Sequence, residues 1–155
     1  MELSAQVSGV APHGPLSIWQ AHRILLIDDD EELIAALRDW LEMEGYAVES
    51  ATDADHAVKK ARLFGPEVAL IDVELGGAVD GYQVGRQLRL LALQPFRIIT
   101  CTGYADEEHL RRSRLAGFAD HIVKPFTVDR LRAAIGGWDR PEEIPAPPRG
   151  SRLPR

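Results

Sequence analysis

Four places along the chain put a chemically competent side chain directly after an apolar run. The stretch "RILLIDDDEEL" leads into Asp28, Asp29 and Asp30, and "VALIDVELGGAVDG" carries Asp72. "RIITCTGYAD" carries Thr102, and "DHIVKPF" carries Lys124. The set holds several carboxylates, one hydroxyl and one amine. Two carboxylates about 4 Å apart repel by roughly 4 kcal/mol at an effective dielectric near 20. Three that converge must protonate, splay apart or bind a cation. Oxygen ligands favour a hard cation, and Mg2+ suits a site that offers only a few protein carboxylates. Together with Lys124 as a fixed positive charge, such a metal would stabilise a phosphoryl group. A threonine hydroxyl can donate to a phosphoryl oxygen. An aspartate in the group can be the nucleophile, forming an acyl phosphate. Taken singly, each signal has a plainer reading. Residues 28–32 suit an acidic helix start, Asp72 a solvated turn, Thr102 a helix cap and Lys124 a surface charge. None of those readings requires all four groups to stand at the ends of apolar runs.

The chemistry needs a scaffold that gathers these ends. Short apolar runs at 24–27, 68–71 and 98–101 fit buried strands, with weaker candidates at 47–50 and 119–123. Between them lie stripes at helical spacing: Leu33, Leu37, Trp40, Leu41 and Glu44; then Ala54, Ala57, Val58 and Ala61. Val84, Leu88 and Leu91 form a third, and Val128, Leu131 and Ile135 the last. The segment 105–116 is more polar and has the weakest helical pattern. Gly45 and the pair Gly65-Pro66 stop the first two helices. Strands alternating with helices predict an α/β fold, a parallel sheet covered on both faces. In such sheets the loops at the carboxyl ends of the strands form the active crevice.

A length of 155 residues suits one domain with a real core. A net charge of -6 disfavours nonspecific binding to nucleic acid or to an anionic membrane surface. The lone Cys101 excludes an internal disulfide and fits a reducing compartment. No apolar run approaches the roughly 20 residues that span a bilayer. The opening residues lack both the basic start and the apolar block of a secretion signal. A cytoplasmic protein is expected. Both ends differ from the middle. Residues 1–21 carry Pro12, Gly14 and Pro15 with no periodicity, and 137–155 holds five of the ten prolines along with Arg149, Arg152 and Arg155. Both are expected to be flexible extensions flanking a domain at 22–136.

The region 22–136 resembles the receiver domain of bacterial two-component response regulators, over about three-quarters of the chain. The acidic pair, the central Asp, the Thr followed by a small residue, and Lys-Pro-Phe are jointly specific. The resemblance implies a flavodoxin-like, doubly wound five-stranded parallel sheet of order 2-1-3-4-5 with five surrounding helices. It implies that Asp72 is the phosphoacceptor, taking phosphate from a partner histidine kinase. Asp29 is implied as a direct Mg2+ ligand and Asp28 as one acting through water or hydrogen bonding. The backbone carbonyl of Glu74 would join Asp72 in the metal shell. Thr102 corresponds to the switch hydroxyl and Gly103 to the small residue that leaves the phosphate accessible. Lys124 corresponds to the lysine that pairs with carboxylate or phosphate, and Pro125 to the proline after it, often joined by a cis peptide. Glu74 and Tyr104 flank the phosphoryl position. Asp30 has no role in that pattern and reads, with Glu31 and Glu32, as helix-start charge.

The chain departs from the pattern in two places. The loop "VELGGAVDG" has Gly76-Gly77 where many receivers have Met-Pro, and it is one residue longer. Position 121 is His, where the switch residue is usually Tyr or Phe. An imidazole can still turn between inside and outside, and it is titratable. His13, His22, His56 and His109 have no metal-ligand spacing and are expected at the surface.

The expected function is a stand-alone receiver that signals by phosphorylation-dependent protein interaction, not an enzyme beyond its own phosphorylation and autodephosphorylation. Its partners would be a histidine kinase or phosphotransfer protein and a downstream protein, with no direct nucleic acid and no membrane. Arg111, Arg112, Arg114, Arg130 and Arg132 cluster in 105–136, either as a merely solvated face or as a docking surface, which a homodimer through 105–136 would use. A phosphorelay intermediate or phosphate sink is the near alternative. From another class, a haloacid-dehalogenase-like phosphatase would use Asp28 and Asp30 as its Asp-x-Asp pair. Glu31 in place of Thr or Val, and no acidic pair after a later strand, count against it. Neither G-x-G-x-x-G nor a Walker-type loop supports nucleotide binding.

Overall fold

The structure, a computed structural model, describes residues 23–92, 96–104 and 106–136. The extensions expected at 1–21 and 137–155 lie outside those residues. Strands and helices alternate along the chain: β1 (Arg23–Ile27), α1 (Glu31–Met43), β2 (Ala47–Ala51), α2 (Ala54–Phe64) and β3 (Val68–Asp72). There follow α3 (Gly81–Leu91), β4 (Arg97–Thr102), α4 (Glu107–Leu115), β5 (Asp120–Val123) and α5 (Val128–Gly136). No helix among the described residues is long and apolar enough to cross a membrane.

The five strands form one sheet in the order β2-β1-β3-β4-β5, and every pairing is parallel. Alternating side chains divide the core in two. On one face Ile24, Leu26, Leu70, Ile99 and Ile122 pack with Leu41 of α1 and Leu131 and Ile135 of α5. On the other, Leu25, Ile27, Ile71 and Ile98 pack with Ala57 of α2 and Val84 and Leu88 of α3. Covering on both faces explains why β3 reads as an unbroken run and is buried throughout.

Each of the first four helices starts on an aspartate whose side chain accepts backbone N–H bonds: Asp30, Asp53, Asp80 and Asp106. Asp80 and Gln83 form a reciprocal capping box at the start of α3. Gly65 ends α2 in the left-handed conformation, with φ 61°.

The observed order is the one the resemblance implied, while β2 ends one residue later and β5 starts one residue later than the sequence reading. β3 and β4 each run one residue further than expected, so Asp72 and Thr102 are the last residues of their strands. On α1 the buried side chains are Ile34 and Leu41, while Leu33, Leu37 and Trp40 are half-buried and Glu44 is the C-cap. On α5, Val128 is exposed, and Ala134 joins Leu131 and Ile135 in the core.

Candidate functional site

Register sets the site. Ile27 lies beside Ile71 in the β1–β3 pairing, so the next residue of each strand, Asp28 and Asp72, emerges at one edge. Thr102 lies beside Val123, which brings Lys124 to the same edge. Lys124 N–H donates to the Thr102 carbonyl at 2.7 Å and fixes the end of β5 against β4. The peptide between Lys124 and Pro125 is cis.

Asp28 and Asp72 are buried, each with 6% of its surface exposed, although each carries a carboxylate. Local bonds hold both. Asp28 Oδ1 accepts from Asp30 N–H at 2.9 Å, and Asp72 Oδ1 accepts from Glu74 N–H at 3.0 Å. The ammonium of Lys124 supplies the counter-charge. Its Nζ stands 2.6 Å from Asp28 Oδ2 and 3.6 Å from Asp72 Oδ2. Asp29 is exposed and adds a third carboxylate. Asp28, Asp29 and Asp72 each offer an oxygen, and the three oxygens lie within 4.8 Å of one another. One ammonium facing three acids leaves the site short of positive charge.

The titration of Asp72 reflects its burial first and that shortage second. Burial raises its carboxyl to about 6, with the carboxylates of Asp28 and Asp29 adding to the rise. The Glu74 N–H and the Lys124 ammonium pull the other way without cancelling it. Burial alone would depress Lys124, but its bond to Asp28 and the charges of Asp28 and Asp72 hold its ammonium above the usual lysine value. A divalent cation on oxygen ligands relieves this repulsion, so the donor set fits Mg2+.

The remaining predicted residues are placed as follows. Thr102 is fully buried, and its Oγ1 accepts from the Tyr104 N–H at 3.1 Å. Gly103 is exposed, and a Cβ there would meet no atom within 4 Å. Gly76 adopts φ 62°, and a Cβ on it would stand 3.2 Å from Asp29 Oδ2. Asp30 is not in the site. Its carboxylate caps α1, accepting from Glu32 and Leu33 N–H, so Asp28 and Asp30 do not act as one pair.

His121 faces inward. Its Nδ1 lies 2.9 Å from Thr100 Oγ1 and 3.2 Å from Ser113 Oγ, and the two hydroxyls are 3.0 Å apart. Thr100 and Ser113 are buried and were not singled out in the sequence. Thr100 sits inside an apolar-looking strand and Ser113 in the most polar helix. The available signal was register: Thr100 pairs directly with His121.

The five arginines lie on α4 and α5, but they do not form a bare cationic patch. Arg111 pairs with Glu108 and Arg130 with Asp120. Arg112 pairs with Asp80 at 2.9 Å, its guanidinium 4.2 Å above the Tyr82 ring. Arg132 pairs with Glu44 of α1 and with Asp129. Arg114 is exposed and has no ion pair among the described residues. His56 is exposed and pairs with Asp53. His109 is half-buried, pairs with Asp106 and stacks on Tyr104. His13 and His22 lie outside the described residues.

Comparison with known proteins agrees with this geometry. A family model described as the response regulator receiver domain matches residues 24–136. The chain is 34% identical over 125 residues to the alkaline phosphatase synthesis transcriptional regulatory protein PhoP of Bacillus subtilis, covering 81% of this chain and 51% of that protein. It is 31% identical over 116 residues to the chemotaxis protein CheY of the same organism, covering 74% of this chain and 95% of that one. A crystal structure of a response regulator protein from Burkholderia pseudomallei, with a phosphorylated aspartic acid, calcium ion and citrate, matches with a TM-score of 0.68 and 32% identity. That match covers 73% of this chain and 65% of the other. The chain spans about half the length of the transcriptional regulators it matches.

Proposed function

Because the chain belongs to the response regulator receiver domain family, we propose that it accepts a phosphoryl group on Asp72 from the phosphohistidine of a histidine kinase or phosphotransfer protein. The observation that carries this reading is the burial of Asp72 at the end of the central strand, beside two more carboxylates and 3.6 Å from the Lys124 ammonium. An Asp72 oxygen attacks phosphorus, the donor's N–P bond breaks, and the electron pair leaves with the imidazole nitrogen, which then takes up a proton. Asp28, Asp29, Asp72 and the Glu74 carbonyl would hold Mg2+. When bound, that ion supplies positive charge to the transferring phosphoryl oxygens. Lys124 supplies a second positive charge from the protein itself. Thr102 would exchange its bond from Tyr104 N–H for a bond donated to a phosphoryl oxygen.

The chain would act as a switch rather than an enzyme, its chemistry limited to gaining and losing its own phosphoryl group. Its output would be altered affinity for a protein partner, through α4, β5 and α5 or through a dimer on that face. The phosphorylated aspartic acid and calcium ion of the Burkholderia pseudomallei protein support the assignment of site and cation type. Incubation with acetyl phosphate and Mg2+ tests it. Base-labile, hydroxylamine-sensitive label should appear on the wild type and be absent from Asp72→Asn; equal labelling of the variant refutes the assignment.

A further inference from the structure

His121 is tied to groups on three sides. Its backbone N–H donates to Asp120 Oδ1, and its carbonyl accepts from Arg130 of α5. Its ring meets Thr100 of β4 and Ser113 of α4. Ser113 is the one side chain of α4 that is fully buried. Arg112, paired with Asp80, and the His109 carbonyl, which accepts from the Tyr82 hydroxyl, tie α4 to α3; its buried contact with the sheet is a small polar triangle of Thr100, Ser113 and His121 rather than an apolar ridge.

Proton positions decide what the triangle tolerates. A neutral imidazole can accept from a hydroxyl at Nδ1 or donate to one, because hydroxyls do both. The other ring nitrogen, Nε2, is buried with no hydrogen-bond partner. A second proton would charge the ring and put an N–H on each nitrogen, with no hydrogen-bond acceptor for the one at Nε2. The Tyr104 backbone favours the charged ring but does not reach Nε2 in hydrogen-bond geometry. Among the described residues, the carboxylate that acts on the ring is Asp120. Both of its oxygens are held by Arg130. His109 on α4 and Arg130 on α5 both disfavour further positive charge, and Tyr82 of α3 brings only a neutral phenol toward Ser113.

We propose that His121 is a proton-sensitive latch: the neutral ring holds α4 against the sheet through Thr100 and Ser113, and protonation expels it and frees α4. This device acts in the unphosphorylated chain and does not depend on the role given to Asp72. Burial depresses the imidazole below its ordinary 6.5. The inward ring is therefore favoured above that depressed value and lost as pH falls through it.

The test uses the full chain carrying Asp72→Asn, which removes the carboxyl that titrates in the same range. NMR should give a ring titration for His121 below 6.5. Over the same pH interval, amide exchange in α4, corrected for its intrinsic pH dependence, should rise at least fivefold. His121→Asn, which keeps a neutral polar side chain, should abolish that rise. If His121→Asn does not fold, His121→Tyr serves in its place. A titration at or above 6.5, or an α4 exchange profile unchanged by the substitution, overturns the latch.

Discussion

At Asp72 the fold holds a carboxyl that prefers its proton. Its value in the fold is about 6, against an ordinary 3.8. The folded chain therefore binds this proton more tightly than the unfolded chain does. Stability from this residue is full at low pH and lost as pH rises from about 4 through about 6. Asp72→Asn removes the loss. The variant should exceed the wild type by about 2 kcal/mol in urea unfolding at pH 8, and the gap should close toward pH 4. A gap that does not change with pH would mean that Asp72 is not the strained group. The same carboxyl must be ionised to attack phosphorus. At limiting Mg2+, labelling by acetyl phosphate should fall as pH drops through about 6, whereas a flat rate from pH 7 to 5 would exclude Asp72 as the titrating nucleophile. Lys124 is the opposite case. Lys124→Met strands the buried Asp28 carboxylate 2.6 Å from where the ammonium stood. Urea unfolding at pH 7.5 should show a loss of about 2 kcal/mol, partly recovered in millimolar Mg2+, which restores positive charge to the site. A full loss that metal does not touch would count against the cation site.

The elements position these residues through a few close approaches. The tightest is the start of α3. A Cβ on Gly81 would lie 2.1 Å from the Asp72 carbonyl oxygen and 2.8 Å from the Val73 Cα. Neither is a side chain that can turn aside. Gly81→Ala should therefore drive α3 off the end of β3, with a loss of about 3 kcal/mol by thermal unfolding. Gly103→Ala, with open space around it, should change stability by less than about 0.5 kcal/mol. If the two variants unfold alike, the close approach is not what fixes α3. The three central strands, β1, β3 and β4, were legible in the sequence because burial on both faces leaves apolar runs, whereas the edge strands β2 and β5 read more weakly. The first three helices were legible from apolar stripes, and the first two also from glycine stops. α4 carried the weakest pattern because its buried contact is Ser113, a residue that ordinarily signals solvent. Thr100 was hidden for the converse reason, a polar group inside a run that needed no polar group. On α1 and α5 the stripes were right in period and caught Leu41, Leu131 and Ile135, but missed the buried Ile34 and Ala134 and included the exposed Val128. Periodicity gives a face, whereas the sheet beneath decides which residue points into it.

At the scale of the whole molecule, the candidate site was legible because its parts stand at the ends of separate strands, and parallel topology brings such ends to one edge. The state of the arginines was not, because their partners are remote. Arg112 finds Asp80 across 32 residues of sequence, and Arg132 finds Glu44 across 88. Only the folded chain reveals that this face is largely neutralised. The acidic edge should couple metal binding to global stability, since its ligands converge only in the fold. Mg2+ at about ten times its dissociation constant should add about 1.4 kcal/mol and raise Tm by several degrees. Asp29→Asn should blunt the effect, and an identical rise in that variant would place the ion elsewhere. The contact that completes the edge spans most of the chain, because Lys124 reaches Asp28 across 96 residues. A copy still on the ribosome, or one clipped before β5, has the acids without the amine. On the function proposed for Asp72, such a fragment would lack the protein's own positive charge for a phosphoryl group and should take up little label from a phosphodonor.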